Sequence, residues 1–356
     1  MAKKREYYPA AIEISSSALK LLQLAKSVQS PGYEIAQCAY LPLNLASEQN
    51  LWSEGQLASS ERIRNSLQKL IQEHRIGAEV VSCLPINKIQ SLTYILPNMP
   101  KGEIEQAIAW KLKQNPPGGV TLEDLSFDYL TFSHPKNDFN NQLRVLVFVV
   151  SKEAVMKQVI LFKEFSLKLI AFEPKPYSAL GALSWLGKIP QEETVLVIQL
   201  GAVQSSIIIL YAGEPYLIRQ LAVSGNSFTE AIVNYHQLDW QRAEALKKSE
   251  SPACGPALSS QLENLVLDIE HTFKYFAHQL MKSEVISFER IILCGGSAKL
   301  HNLAAFLAER LGAVVDVFDP LSSLHPGQGC ELAPLAQENS ASFSSSLGLA
   351  IRSIEW

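Results

Sequence analysis

Thr194-Val195-Leu196-Val197-Ile198-Gln199-Leu200-Gly201-Ala202-Val203-Gln204-Ser205-Ser206-Ile207-Ile208-Ile209-Leu210-Tyr211-Ala212-Gly213 is the stretch on which the fold turns. Its 20 residues carry no charge, the length of a bilayer-spanning helix. The centre argues against one: Gln199, Gly201, Gln204, Ser205 and Ser206 would lie in the hydrocarbon. The runs Val195–Ile198 and Ile207–Ile209 instead read as two buried strands around a tight turn.

The same device opens the chain. Apolar runs at 10–14 and 19–24 flank the hydroxyl-rich turn Ser15-Ser16-Ser17. A third turn, Cys294-Gly295-Gly296-Ser297, follows the strand-like Arg290–Leu293 and precedes a helix through Leu300, Leu303, Phe306, Leu307 and Leu311. Any one of these is an ordinary hairpin or strand-to-helix turn. Three in one order, widely spaced, form a pattern.

The chain has 356 residues, 47% apolar and 19% charged, enough for about two domains with real cores. Lys+Arg number 31 against 35 Asp+Glu, so no overall basic field exists for nucleic acid. Five cysteines stand singly, without C-x-x-C, which excludes a disulfide framework and fits a reducing compartment. Lys3-Lys4-Arg5 is followed by Tyr7-Tyr8-Pro9 and Glu13, not by an apolar run, so a signal peptide is not expected.

Between the turns the pattern alternates strands and helices. Ser30-Pro31-Gly32 is a turn, Tyr33–Leu41 a strand and 44–60 a polar loop. Residues 61–75 form an amphipathic helix through Ile63, Leu67, Leu70 and Ile71, and Val80–Leu84 is a buried strand. A compact α+β unit follows. It comprises strand Ile89–Leu96, helix Lys101–Gln114, strand Leu125–Phe132, hairpin loop His134–Asn141, strand Leu143–Val150 and helix Lys152–Phe165. The last helix is expected to face inward through Val155, Val159 and Phe162. Ser249–Pro256 reads as a loop, Leu262–Leu280 as a long amphipathic helix and Val314–Phe318 as a strand. Ser340–Ser346 reads as a flexible loop, and Leu347–Ile354 as a closing helix.

Together the three turns resemble the two phosphate hairpins and the adenosine loop of the actin-like ATPase superfold. More closely, the chain resembles the PilM family, actin-like cytoplasmic proteins of the type IV pilus inner-membrane platform. That family opens with D-I-G-S-S-S-V-K; here stands Glu13-Ile14-Ser15-Ser16-Ser17-Ala18-Leu19-Lys20. Leu96-Pro97 through Glu103-Ile104 to Trp110 is similar to the opening of its inserted subdomain, and Phe127-Asp128-Tyr129 to that subdomain's middle strand. Ala243-Glu244-Ala245-Leu246-Lys247 and Leu347-Gly348-Leu349-Ala350-Ile351-Arg352 are similar to further family segments. The resemblance implies an α/β, two-lobed actin-like (ribonuclease H-like) fold with an inserted α+β subdomain. It assigns 7–88, 170–190 and 347–356 to the first lobe, 89–169 to the insert and 191–346 to the second lobe, with a helical outgrowth at 225–285.

The resemblance also implies a site: Glu13, Ser16, Ser17, Lys20, Gly201, Gln204, Gly225, Glu244, Lys247, Gly295 and Gly296. Any ATP or ADP with magnesium would place its phosphates between Ser16–Lys20 and Gly201–Gln204, and its adenine near Glu244, Lys247 and Gly296. The pattern is damaged where phosphate chemistry needs it. Glu13 and Ser15 replace the first hairpin's aspartate and glycine, and Gln199 replaces the second aspartate. Val203 and Ser224 stand where glycine is usual. Losing the second aspartate removes a magnesium anchor and a candidate base, so weak binding and negligible hydrolysis are expected, with no catalytic residue assigned. The bland readings stay open: Lys20 as a solvated strand residue, Glu244 and Lys247 as a surface pair, and Gly295-Gly296 as a plain turn.

Other chemistry finds no support. His271 and His278 share a helix face without a third ligand, and G-x-S-x-G, G-x-x-x-x-G-K-[ST] and H-E-x-x-H are absent. The function implied is a cytoplasmic adaptor. It would bind the cytoplasmic tail of a PilN-like bitopic inner-membrane protein, in a groove between first lobe and insert, and so sit at the membrane without inserting or binding nucleic acid. Trp110 lies off the Ile104–Ile108–Leu112 stripe, either as an interface anchor or packed inside the insert. The alternatives are an active actin-like ATPase or sugar-type kinase, or an FtsA-like filament. Gln199 and Val203 argue against the first, and the chain's stop at Trp356 against the second's membrane helix. Self-association, and whether the machine serves pili, secretion or competence, stay open.

Overall fold

The computed structural model describes residues 6–27, 32–43, 61–133, 142–249, 254–283 and 285–354. The basic N-terminal residues, Ser30-Pro31, loop 44–60, loop His134–Asn141, residues 250–253 and Trp356 lie outside them.

The chain opens with β1 (Ala10–Ile14), β2 (Ala18–Lys26), β3 (Tyr33–Pro42), α1 (Glu61–Glu73) and β4 (Glu79–Leu84). Next come β5 (Ile89–Pro97), α2 (Lys101–Gln114), β6 (Leu125–Ser133), β7 (Gln142–Ser151), α3 (Lys152–Glu164) and β8 (Lys168–Pro174). After α4 (Lys175–Trp185) come β9 (Val195–Leu200), β10 (Ser205–Tyr211) and β11 (Glu214–Leu221). Helices α5 (Gly225–His236), α6 (Trp240–Lys248) and α7 (Cys254–Tyr275) lead to β12 (Arg290–Cys294), α8 (Leu303–Leu311) and β13 (Val314–Val317). The short α9 (Pro334–Glu338) precedes α10 (Ser344–Arg352).

Two sheets share one plan. The first has the order β3-β2-β1-β4-β8 and the second β11-β10-β9-β12-β13. In each, three antiparallel strands are followed by two parallel ones. Parallel neighbours require crossovers, and helices covering both faces explain why these strands read as continuous apolar runs rather than alternating ones.

Strand parity sorts the side chains into layers. Ala10, Ile12 and Ile14 join Leu67, Leu70 and Phe162 on the outer face of the first sheet. Leu196, Ile198 and Leu200 join Phe228, Ile269 and Phe273 on the outer face of the second. The opposite parity, Ala11 and Leu22 from one sheet and Val195 and Val197 from the other, meets α4 and α10 in one continuous core. Both helices therefore lie in a layer between the lobes. They touch at Gly348, where a Cβ would stand 1.6 Å from the Ser178 carbonyl oxygen.

The insert holds a three-stranded sheet, β5-β7-β6. On one face Leu96, Val145, Val147 and Leu125 pack on Ile104, Ile108 and Leu112 of α2. Three elements add to the sequence reading or depart from it. α3 buries Gln158, Leu161 and Phe162, with Val155 and Val159 only half-buried, and its apolar face enters the first lobe's core rather than the insert's. Within 225–285, expected as an outgrowth, Phe228, Leu265 and Ile269 cover the second sheet directly. Ser340–Ser346 is not a loose loop: 340–343 is a 3-10 turn and α10 begins at Ser344, with Ser340, Ser344, Ser345 and Ser346 all buried. The composition suggested flexibility; burial beside polar partners supplies the order. Trp110 is 59% exposed, so the reading that packed it inside the insert is corrected.

Candidate functional site

Glu13 has the parity of Ala11 and Gln199 that of Val197, so both point into the layer between the lobes. There they reach consecutive serines of α10. The Ser346 hydroxyl donates to Glu13 Oε2 at 2.7 Å. Gln199 Nε2 donates to Ser345 Oγ at 2.7 Å and lies 3.4 Å from Ser344 Oγ. The two strand ends that precede the hairpins thus converge on the first turn of one helix.

Glu13 is completely buried, and burial by itself would raise its carboxyl pKa. Lys175 and Lys20 overcome that, at 3.0 Å and 2.8 Å from Oε1, and with the hydrogen bonds of Lys20 and Ser346 hold it at about 2. Lys20 sits opposite Glu13 in the β1–β2 register and also donates to the Ser342 carbonyl at 2.5 Å. It is buried, so the solvated reading of this lysine is corrected. Burial pushes its pKa down, against the pull of Glu13. Lys175 begins α4, with Pro176 beside it fixing a helical φ at no hydrogen-bonding cost. Its pKa is raised: burial opposes the charge, but Glu13 outweighs it. The Lys175 carbonyl accepts from Ser345 Oγ at 3.0 Å, closing the network.

The second-lobe glycines form a tight junction. A Cβ on Gly201 would stand 2.3 Å from the Gln204 carbonyl oxygen, and one on Gly225 2.4 Å from Ser297 Oγ. Gly295 has φ +94° and would press 2.5 Å against the Leu200 carbonyl oxygen. The amides here are spent on each other. Gly225 N–H donates to Gly201 O at 2.8 Å, Asn226 N–H to Ala202 O at 2.7 Å and Ser297 N–H to Leu200 O at 3.1 Å.

Glu244 and Lys247 are no surface pair. Lys247 is buried, 2.7 Å from Glu244, and donates to Gly225 O at 3.0 Å and Thr229 Oγ1 at 2.7 Å. Burial raises the Glu244 carboxyl, but Lys247, Thr229 and Lys248 together bring it below its ordinary value. Across the cleft, Tyr40 of the first lobe is pushed up to about 12, mainly by burial; Ser17 hydrogen-bonds it, and the Glu244 and Glu13 charges raise it further. Ser17 and Gly296 are exposed, while Ser16 and Gln204 are half-buried at their hairpin tips.

The structure therefore gathers Glu13 and Lys20 in one network, and Gly201, Gly225, Glu244, Lys247 and Gly295 around a second. Lys175, Ser342, Ser345, Ser346, Thr229 and Tyr40 complete these networks and were not singled out in the sequence. Pro176 beside Lys175 is the one local signal for them, since proline favours the first turn of a helix. The phosphate end of such a site needs two carboxylates free to hold the waters of a magnesium ion. Glu13 is already neutralised by Lys20 and Lys175, and Gln199 is an amide, so these residues do not fit that ion. Among the described residues no three His, Cys, Asp or Glu side chains are placed to hold a metal; His271 and His278 are exposed on the long helix and the turn that extends it.

Two sheets of matching order, with hairpins converging on a shared layer, define a two-lobed actin-like protein. The model for type IV pilus assembly protein PilM matches residues 11–354, and the chain belongs to that family. A solved chain of a PilM-PilN type IV pilus biogenesis complex is similar over 99% of this chain and 99% of its own, at 23% identity and a TM-score of 0.78. Ethanolamine utilization protein EutJ from Carboxydothermus hydrogenoformans is similar over 99% of this chain and 91% of its own, at 13% identity and a TM-score of 0.55. Both likenesses are of fold.

Proposed function

We propose that this chain is a non-enzymatic adaptor of a type IV pilus-like inner-membrane platform, holding the cytoplasmic tail of a PilN-like bitopic membrane protein. One observation carries the non-enzymatic part. The two positions that would anchor magnesium are tied to Ser345 and Ser346 of the chain's own last helix. Nucleotide binding is weak and hydrolysis negligible on this reading. Opening Glu13 to a metal would strand Lys20 and Lys175 without their counter-charge, and breaking such a buried pair costs about 3–5 kcal/mol.

The partner rests on family membership and on the similar chain coming from a PilM-PilN complex. No helix among the described residues is long and apolar enough to cross a membrane, so a partner's tail supplies the attachment. The tail lies where the first lobe meets the insert. There α3, packed on both β7 and β8, exposes Met156 and Ile160, one turn apart. Extended peptides dock at such junctions of sheet and helix.

The test pairs two measurements. Membrane fractionation in the native host, with every PilN-like tail deleted, is expected to release the protein; retention would refute the partner. Steady magnesium-dependent phosphate release from ATP would refute the adaptor reading and favour an ATPase.

A further inference from the structure

We propose that Arg144 is a latch clamping the inserted subdomain onto the second lobe, so that the insert restrains opening of the cleft between the lobes. The insert's sheet has a second face, opposite α2. It presents Ile95, Arg144 and Phe132, cross-strand partners on β5, β7 and β6, and then Leu146 and Phe148. Leu146 is buried in the core shared by both lobes, and the Phe148 ring lies 5.5 Å from that of Tyr177 on α4. Arg144 goes further and reaches the second lobe itself.

Its side chain is 2% exposed. One terminal nitrogen donates to the Pro215 carbonyl at 2.6 Å and the other to Glu214 Oε2 at 2.8 Å. The guanidinium carbon lies 3.7 Å from the Tyr216 ring centroid and 4.4 Å from that of Phe132. A flat, weakly hydrated cation suits this position between rings and oxygens, where a lysine would not. Ser91 of β5 adds a bond to the Ile218 carbonyl at 2.9 Å. Every partner of the latch on the second lobe lies on β11, the edge strand of that sheet.

Two-lobed folds open by rigid-body rotation about a hinge. Here that rotation must pull β11 away from the insert, breaking the charge-assisted bonds and leaving Arg144 buried without partners. The latch acts at a distance from the serine network of α10 and does not depend on whether a membrane-protein tail is bound.

Hydrogen exchange on the full chain tests this. Arg144→Met keeps the stem's volume and removes the bonds, and Glu214→Gln weakens one of them. In Arg144→Met, amides of 214–221 and 89–97 should exchange roughly 10- to 100-fold faster, with β1 and β12 unchanged. Glu214→Gln should move the same segments less. Unchanged exchange in both folded variants would overturn the proposal. So would an equal rise across β1 and β12, which reports only lost global stability. If Arg144→Met does not fold, faster exchange confined to the same two segments in Glu214→Gln supports the latch, and its absence counts against it.

Discussion

Glu13 sets how the fold responds to acid. Its carboxyl is depressed from 4.5 to about 2, so its stabilising effect is fully present above pH 4.5 and is lost as pH falls through 2. For a fully buried group that shift corresponds to roughly 3 kcal/mol. Urea midpoints measured from pH 6 to pH 2 are expected to fall over this window. Glu13→Gln leaves Lys20 and Lys175 facing a neutral amide and should cost about 3–5 kcal/mol at neutral pH. The gap between variant and parent should narrow as pH approaches 2, because the parent then loses the same charge. A gap independent of pH would show that Glu13 matters for packing and not for its charge.

The helices between the lobes make a sharper contrast than their sequences suggest. Gly348 of α10 has the Ser178 carbonyl where a Cβ would go, whereas Gly181 of α4 has nothing within 4 Å. Gly348→Ala is expected to lower stability by about 1–3 kcal/mol or more, as overpacking does. Gly181→Ala should be neutral or stabilising by up to about 1 kcal/mol, from helix propensity alone. Thermal unfolding of the two variants checks both signs. On α2, Trp110 is 59% exposed, so Trp110→Ala should leave stability within about 0.5 kcal/mol. If the partner's tail lies along that helix, the same substitution weakens tail-peptide binding measured by calorimetry; unchanged affinity would remove Trp110 from the interface.

The lobes are joined by one continuous core through α4 and α10, and by polar ties from Glu13 and Gln199 to a single helix. Unfolding is therefore expected to be one cooperative transition for both lobes, with tryptophan fluorescence and far-UV dichroism coinciding. Restoring an aspartate at position 199 is expected not to create ATP turnover, since Glu13 stays neutralised by two lysines. A coupled assay on Gln199→Asp with magnesium checks this, and sustained phosphate release would show that the amide alone was the block.

The strands other than β8 and β11, both hairpins, α1, α2 and the fold family were legible in the chain, because apolar runs and turn residues report local geometry directly. The parity of Glu13 and Gln199 was legible too, since a strand's period of two is fixed by its backbone. β8 and α4 escaped notice: Lys168–Pro174 and Lys175–Trp185 gain their identity from the sheet and layer they complete, not from strong local patterning. The serine run at 340–346 hides its structure for a related reason. Polar residues next to one another in sequence look like a loop, and only contacts 333 and 146 positions away, to Glu13 and Gln199, reveal them as the buried start of a helix. Arg144 is the extreme case, a charge in the middle of an apolar strand whose partners lie 70 residues on. Local sequence fixes which backbone forms, whereas the pairing of buried polar groups is decided by what the fold brings opposite them.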